Sequence, residues 1–278
     1  MTLRIDAHQH FWHLARGDYG WLTPELKPLF RSFGPEDLGP LLEKAGMQGT
    51  VLVQAAPTVA ETDYMLGIAD STEFVKGVVG WCDFEAADAV DEIDRLARHP
   101  LLKGMRPMIQ DIADVDWMLK PELDAAFRAL IAHDLAFDAL THPRHLPNLL
   151  HLAERYPELR IVVDHGSKPA IRDRAFDDWA RDMARIASRT QAYCKLSGLV
   201  TEAGPEWTVD DLRPYTDHLL DCFGAGRLIF GSDWPVCTLA SSYQRWVDAA
   251  ETLMQACGAG ERIAVFGGNA VGFYRLKV

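Results

Sequence analysis

Eight short strand-like runs, most of them separated by a helix-patterned stretch, constrain this chain more than any other feature. The runs fall at about 3–7, 50–54, 74–81, 102–108, 135–140, 160–164, 191–196 and 227–231. Helix-like segments stand between them at 35–45, 88–98, 122–133, 146–155, 176–187, 210–222 and 243–254. Strand and helix alternating in this way over 278 residues describe an α/β chain folded as a single (β/α)8 TIM barrel, one domain over residues 1–278. A doubly wound open sheet competes with that reading. It would want a glycine-rich turn after its first strand, and Asp6-Ala-His-Gln-His10 has no glycine.

In a barrel of this kind chemistry sits at the C-terminal ends of the strands. The first run ends in His8 and His10, whose i, i+2 spacing turns both imidazoles to one face of a strand. The sixth ends in Asp164-His165, and the eighth runs through Gly231-Ser232 into Asp233-Trp234-Pro235. First and last strands are neighbours in a closed barrel, so His8, His10 and Asp233 are expected at one mouth. Each histidine alone reads as a satisfied polar residue. His8, His10, His165 and Asp233 together read as a catalytic set, or as the ligands of one divalent metal such as zinc.

Other strand ends supply candidate substrate contacts. Arg106 follows the fourth strand and suits oriented hydrogen bonds to a substrate oxygen, or a structural ion pair. Lys168 and Lys195 either neutralise an oxyanion or pair with Asp164. Gln54, Asp83 and Ser197 are read as polar lining, and His142 as a weaker member of the set because Pro143 and Pro147 imply an irregular turn. Trp12, Trp21, Trp81 and Trp234 are expected to wall the pocket.

Composition removes several functions. The formal net charge is -12 with no basic run, which argues against nucleic-acid and anionic-membrane partners. No apolar stretch approaches the length of a spanning helix, and Arg4 and Asp6 stand where a signal peptide needs apolar residues. Cysteines 82, 194, 222, 237 and 257 are dispersed without a Cys-x-x-Cys, as expected of reduced thiols in a cytoplasmic protein. There is neither a Gly-x-Ser-x-Gly elbow nor a Walker loop. Val265-Phe-Gly-Gly-Asn269 comes too late to open a nucleotide fold. It is expected to close the barrel before a short helix capped at Asn269.

Four ordered blocks, Ile5-Asp-Ala-His-Gln-His-Phe-Trp12, Val163-Asp-His-Gly-Ser-Lys-Pro169, Tyr193-Cys-Lys-Leu-Ser-Gly198 and Phe230-Gly-Ser-Asp-Trp-Pro235, resemble the amidohydrolase superfamily. The resemblance is closest to its sugar lactonase branch, the L-fuconolactonase and L-rhamnonolactonase-like proteins, and runs over essentially the whole chain. It implies hydrolysis of an aldonolactone to an aldonate, with His8 and His10 as the first-strand pair, His165 as the sixth-strand histidine and Asp233 as the eighth-strand acid. Two-metal members carry a bridging carboxylate or carbamylated lysine at the end of strand four. This chain has Arg106 there, so the resemblance implies one zinc at most, and related lactonases work with none.

The expected chemistry is water activation by Asp233 and carbonyl polarisation by the histidines or by a metal they hold. A metal-dependent amide or ester hydrolase and a decarboxylase are the rival activities on the same scaffold. A non-catalytic lactone-binding protein is a third reading. The partner is a small sugar lactone, and a homo-oligomer is compatible with the sequence. Loops near 12–28 and 202–207 are expected to choose the sugar.

Overall fold

The structure, a computed structural model, describes residues 3–277. Eight strands, β1 (Ile5–Gln9), β2 (Gly49–Val53), β3 (Val75–Gly80), β4 (Leu102–Met105), β5 (Ala136–Ala139), β6 (Ile161–Val163), β7 (Tyr193–Leu196) and β8 (Leu228–Phe230), pair in sequence order, every pair parallel. The ring closes just past β8, where Asp233 N donates to His8 O at 2.7 Å and His10 N to Trp234 O at 2.7 Å. The seam of the barrel is therefore also the place where His8, His10 and Asp233 meet.

The helices follow the strands as α1 (Pro35–Ala45), α2 (Val59–Ser71), α3 (Ala89–Leu96), α4 (Asp124–Ala132), α5 (Leu146–Arg155), α6 (Asp177–Arg189), α7 (Leu199–Ala203), α8 (Val209–Phe223), α9 (Tyr243–Leu253), α10 (Ala259–Ile263) and α11 (Asn269–Tyr274). Local chemistry sets their ends. In α1, Pro35 pre-sets the first turn, Asp37 accepts from Gly34 N at 3.0 Å, and Gly46 terminates the helix at φ 66. Asn269 departs from the capping role expected of it. Its side-chain amide donates to Ala225 O and Leu228 O at 2.7 Å each, tying α11 to the start of β8.

Two apolar layers result. Strand residues such as Leu52, Val78 and Phe137 pack outward against the helices. Ile5, Ala7, Val51, Val53, Val79 and Val162 fill the barrel, with Phe273 and Tyr274 of α11 packed among them.

One irregularity decides which way the first-strand histidines point. Asp6 pairs with Thr50 but Gln9 with Leu52, so β1 carries one extra residue between them. Before the bulge Ile5 and Ala7 face inward, while Asp6 reaches the α9 hydroxyl of Tyr243 at 3.1 Å. Without the slip, His8 and His10 would follow Asp6 toward the helices. With it they turn into the barrel.

Candidate active site

A cavity of about 250 Å³ opens at the C-terminal ends of the strands. His10, Arg106, His165, Lys168 and Asp233 form its polar side, and Trp21, Leu26, Leu29, Met108, Leu140 and Leu239 form much of its apolar wall. His8 lies fully buried beneath this floor.

The four expected residues converge on one carboxylate oxygen. Asp233 Oδ1 is 3.3 Å from His10 Nε2, 3.7 Å from His8 Nε2 and 3.8 Å from His165 Nε2. His8 Nε2 and His10 Nε2 stand 3.2 Å apart. Tight turns hold them. Asp233, His165 and Lys168 all adopt left-handed backbone, at φ 57, 54 and 51. Such conformations cost non-glycine residues energy and collect at functional sites. Neighbouring glycines supply the space: a Cβ on Gly198 would lie 2.6 Å from His165 Nδ1, and one on Gly231 2.6 Å from His8 Cβ.

Each imidazole is anchored from behind. His10 Nδ1 donates to the Val53 carbonyl at 2.7 Å, which leaves its Nε2 a free lone pair. His165 Nδ1 meets Ser197 Oγ at 2.8 Å. Burial disfavours the charged form of all three, lowering His10, holding His165 at about 4 and pushing His8 well down, where the Lys195 ammonium adds to the effect. Asp233 is also buried, which opposes its charge, but the surrounding imidazoles, His165 foremost, overcome that. Its carboxyl is held below the ordinary carboxylate range. At neutral pH the site is thus one carboxylate among three neutral rings.

These donors also have the spacing of metal ligands. Metal–ligand bonds of about 2.0–2.1 Å in a tetrahedron place ligand atoms roughly 3.4 Å apart, close to the separations around Asp233 Oδ1. His8, His10 and Asp233 form one group able to hold an ion, and His8, Asp164 and His165 another that shares His8.

The remaining candidates separate. Gln54 is fully buried and braces Arg106: its Nε2 donates to the Arg106 carbonyl at 2.8 Å, and Arg106 Nη2 reaches the Gln54 carbonyl oxygen and, at 3.2 Å, its Oε1. Arg106 lines the cavity with Nη1 3.5 Å from Asp164 Oδ2. Lys168 lines it too. Lys195 does not: it is fully buried, paired with Asp138 and Asp164.

Four expected contacts lie elsewhere. Trp12 is enclosed, its Nε1 donating to Arg31 O at 2.6 Å and its ring edge-on to Phe33 and Trp21. Trp234 is packed against Phe11 and Phe33. Asp83 is exposed and lines a neighbouring hollow with Trp81, across the β3 end from the site. His142 is half-buried outside the cavity wall, its backbone N–H bonded to His145 Nδ1 at 3.0 Å. Of the four tryptophans only Trp21 lines the pocket, held by its Nε1 bond to Ala55 O at 2.7 Å. Met108, Gln110 and Asp111 also line it and were not anticipated. Their signal was position alone, directly after β4.

Known proteins agree with this architecture. The chain is 50% identical, over 99% of its length and 97% of the relative's, to an L-fucono-1,5-lactonase of Burkholderia ambifaria. It is 36% identical to an L-fucono-1,5-lactonase of Burkholderia multivorans, over 99% of this chain and 97% of that one. A crystal structure of an amidohydrolase from Burkholderia multivorans with bound zinc superposes with a TM-score of 0.93 at 35% identity, covering 99% of this chain and 100% of that one. Among the described residues, no helix is long and apolar enough to cross a membrane. The amidohydrolase family model matches residues 5–276, and the chain belongs to that family, in its sugar lactonase branch.

Proposed function

We propose that this protein is a hydrolase that opens a sugar lactone of the L-fucono-1,5-lactone type to its aldonate. The observation that carries the reading is the ionised Asp233 held within 3.8 Å of three neutral imidazoles on the floor of a small pocket. Asp233 takes a proton from water, and the resulting hydroxide attacks the lactone carbonyl carbon. The His165 imidazole N–H and the Arg106 guanidinium stabilise the tetrahedral oxyanion. The ring C–O bond then breaks, and Asp233 returns its proton to the departing oxygen. Lys168 reaches the substrate hydroxyls, and Trp21, Leu26 and Leu29 pack on the carbon skeleton.

A zinc ion, when bound, would be held by His8, His10, His165 and Asp233 and would add Lewis-acid polarisation of the carbonyl. Reaction through these residues does not depend on it. A lactone is an activated ester, so less barrier has to be removed than for an amide. Neither an amide hydrolase nor a decarboxylase has a specific observation in its favour.

Proton release in weakly buffered indicator, across sugar 1,4- and 1,5-lactones with and without chelation, tests the reading. Turnover of L-fucono-1,5-lactone is expected, and it should survive chelation. Absence of turnover on every lactone would overturn the assignment; loss on chelation with recovery in zinc would make the metal essential.

A further inference from the structure

The chemistry above leaves one buried charge unexplained. Lys195, on β7, is fully enclosed beneath the imidazoles. Its ammonium has three N–H groups and no acceptor capacity. Three groups surround it: Asp138 Oδ2, to which it donates at 2.6 Å, His8 Nδ1 at 3.0 Å, and Asp164 Oδ1, with which it forms an ion pair at 2.9 Å. An ammonium can only donate. His8 Nδ1 is then an acceptor, and a neutral imidazole that accepts at Nδ1 carries its hydrogen on Nε2.

The opposite end of the array gives the same answer independently. A carbonyl can only accept, so the 2.7 Å contact of His10 Nδ1 with Val53 O places the His10 hydrogen on Nδ1. His10 Nε2 is bare, and it faces His8 Nε2 at 3.2 Å. A hydrogen on His8 Nε2 fits that contact; two bare nitrogens would not. The chain runs from Lys195 N–H to His8, from His8 N–H to His10, and from His10 N–H to the β2 backbone. Three competing contacts are longer. Asp164 Oδ1 is 3.5 Å from His8 Nδ1, Arg106 Nη1 is 3.4 Å from His8 Nε2, and Asp233 Oδ1 is 3.3 Å from His10 Nε2. None matches the 2.7 Å contact of His10 with Val53 or the Lys195 contact.

We propose that Lys195 is a positioning residue that locks His8 in the Nε2–H tautomer, so that His8 donates to His10 Nε2 from beneath the cavity floor and holds that ring in place beside Asp233. The proposal rests on the lactonase reading for its purpose, though the tautomer itself does not. One consequence concerns zinc. While Lys195 donates to Nδ1, the His8 Nε2 keeps its hydrogen and has no lone pair for a metal. The four residues have ligand spacing, but the hydrogen on His8 opposes coordination, and Lys195 and zinc compete for the state of one ring.

The test starts with the intact protein labelled with 15N-histidine. Long-range 1H–15N correlation at neutral pH distinguishes bare from protonated ring nitrogens, with His8 identified by the signals lost in His8→Gln. His8 is expected to show a bare Nδ1 and a protonated Nε2, with His10 showing the reverse. A protonated His8 Nδ1 overturns the proposal, whether or not any lactone is turned over. In Lys195→Met the ring is free to reverse and donate from Nδ1 toward Asp164. Calorimetry should then show zinc affinity rising about 10-fold or more, the range in which groups behind a ligand act. The kcat on lactone should fall about 100-fold with KM little changed. A merely structural lysine would weaken zinc binding and leave the tautomer as it was, which would overturn the proposal. If the variant does not fold, the spectrum of the intact protein decides alone.

Discussion

Replacing Asp233 by Asn removes the base while changing almost nothing else. The side chain is nearly isosteric, and its Oδ1 has three imidazole nitrogens around it and no backbone donor. The backbone contacts of residue 233 survive: its N–H to His8 O at 2.7 Å, and its carbonyl to Cys237 N at 2.8 Å. The left-handed φ of 57 is a conformation that Asn tolerates nearly as well as Asp. Folding should therefore change little, with Tm within roughly 3 °C of the parent. Turnover should not survive so well. General-base assistance contributes about 10²- to 10⁴-fold, which is about 3–5 kcal/mol of barrier. The polarising side of the site remains, because Asp233 is one of the groups drawing His165 and His10 toward their charged forms. Without it the rings stay neutral. The loss should appear almost wholly in kcat, with KM changed little. The assay is proton release on L-fucono-1,5-lactone, corrected for spontaneous hydrolysis, beside a thermal melt. A folded variant within tenfold of the parent kcat would refute the assignment of Asp233 as the base.

Two further predictions concern pH. Burial holds His165 at about 4 against the pull of Asp233 and Asp164, so kcat should stay level from neutral pH to about 5 and fall near 4, as an imidazolium forms beside Asp233; an acid limb centred near 6.5 would refute this. Glu61, in the first turn of α2, is fully buried, accepts from Ala55 N and Ala56 N, and is raised by burial from 4.5 to about 8. The folded state therefore binds a proton that the unfolded state releases above about 4.5. Its contribution to stability should decline as pH rises from about 4.5 to about 8, by a few kcal/mol in all, then level off. Denaturant melts of Glu61→Gln should show a flatter pH dependence across that window. Equal slopes in parent and variant would refute it.

The barrel was legible because parallel strands buried on both faces read as compact apolar runs, and each of the eight runs overlaps one of the eight strands, though the first was placed two residues early. Helices with clear stripes and ends were equally plain: α1 and α5 begin and end where the pattern does. α2 was not read, since its buried face includes Glu61 and Thr62 beside Met65, Leu66 and Ala69, so no clean apolar stripe survives. The convergence of His8, His10, His165 and Asp233 followed from strand-end positions alone. Their orientation did not. The β1 bulge that turns both histidines inward is a pairing event with β2, invisible in β1 itself. Tryptophans misled for a related reason. Trp12 and Trp234 adjoin site residues in sequence, but each strand-to-loop transition sends the next side chain outward, into a cluster with Phe11 and Phe33.

The buried charges below the site raise a question of cost. Asp138 and Asp164 against Lys195 and Arg106 sum to neutrality, yet the two acids and Lys195 are fully enclosed. Taking such groups out of water costs several kcal/mol per ion, and apolar residues of similar volume often serve stability as well or better. If the cluster existed for the fold, removing it whole should hurt. If it exists to orient imidazoles, removing it whole should spare the fold and abolish turnover. Lys195→Met alone leaves one buried carboxylate without a countercharge and should cost about 3–5 kcal/mol. Adding Asp138→Leu restores neutrality with Asp164 and Arg106 left as a pair. Adding Tyr274→Phe removes the hydroxyl that donates to Asp138 at 2.6 Å and would otherwise lose its acceptor. The triple variant should melt well above the single one, near or above the parent, while kcat stays as low as in Lys195→Met. A triple variant no more stable than the single one would make the cluster a structural element. One that regained activity would remove Lys195 from the orientation of His8.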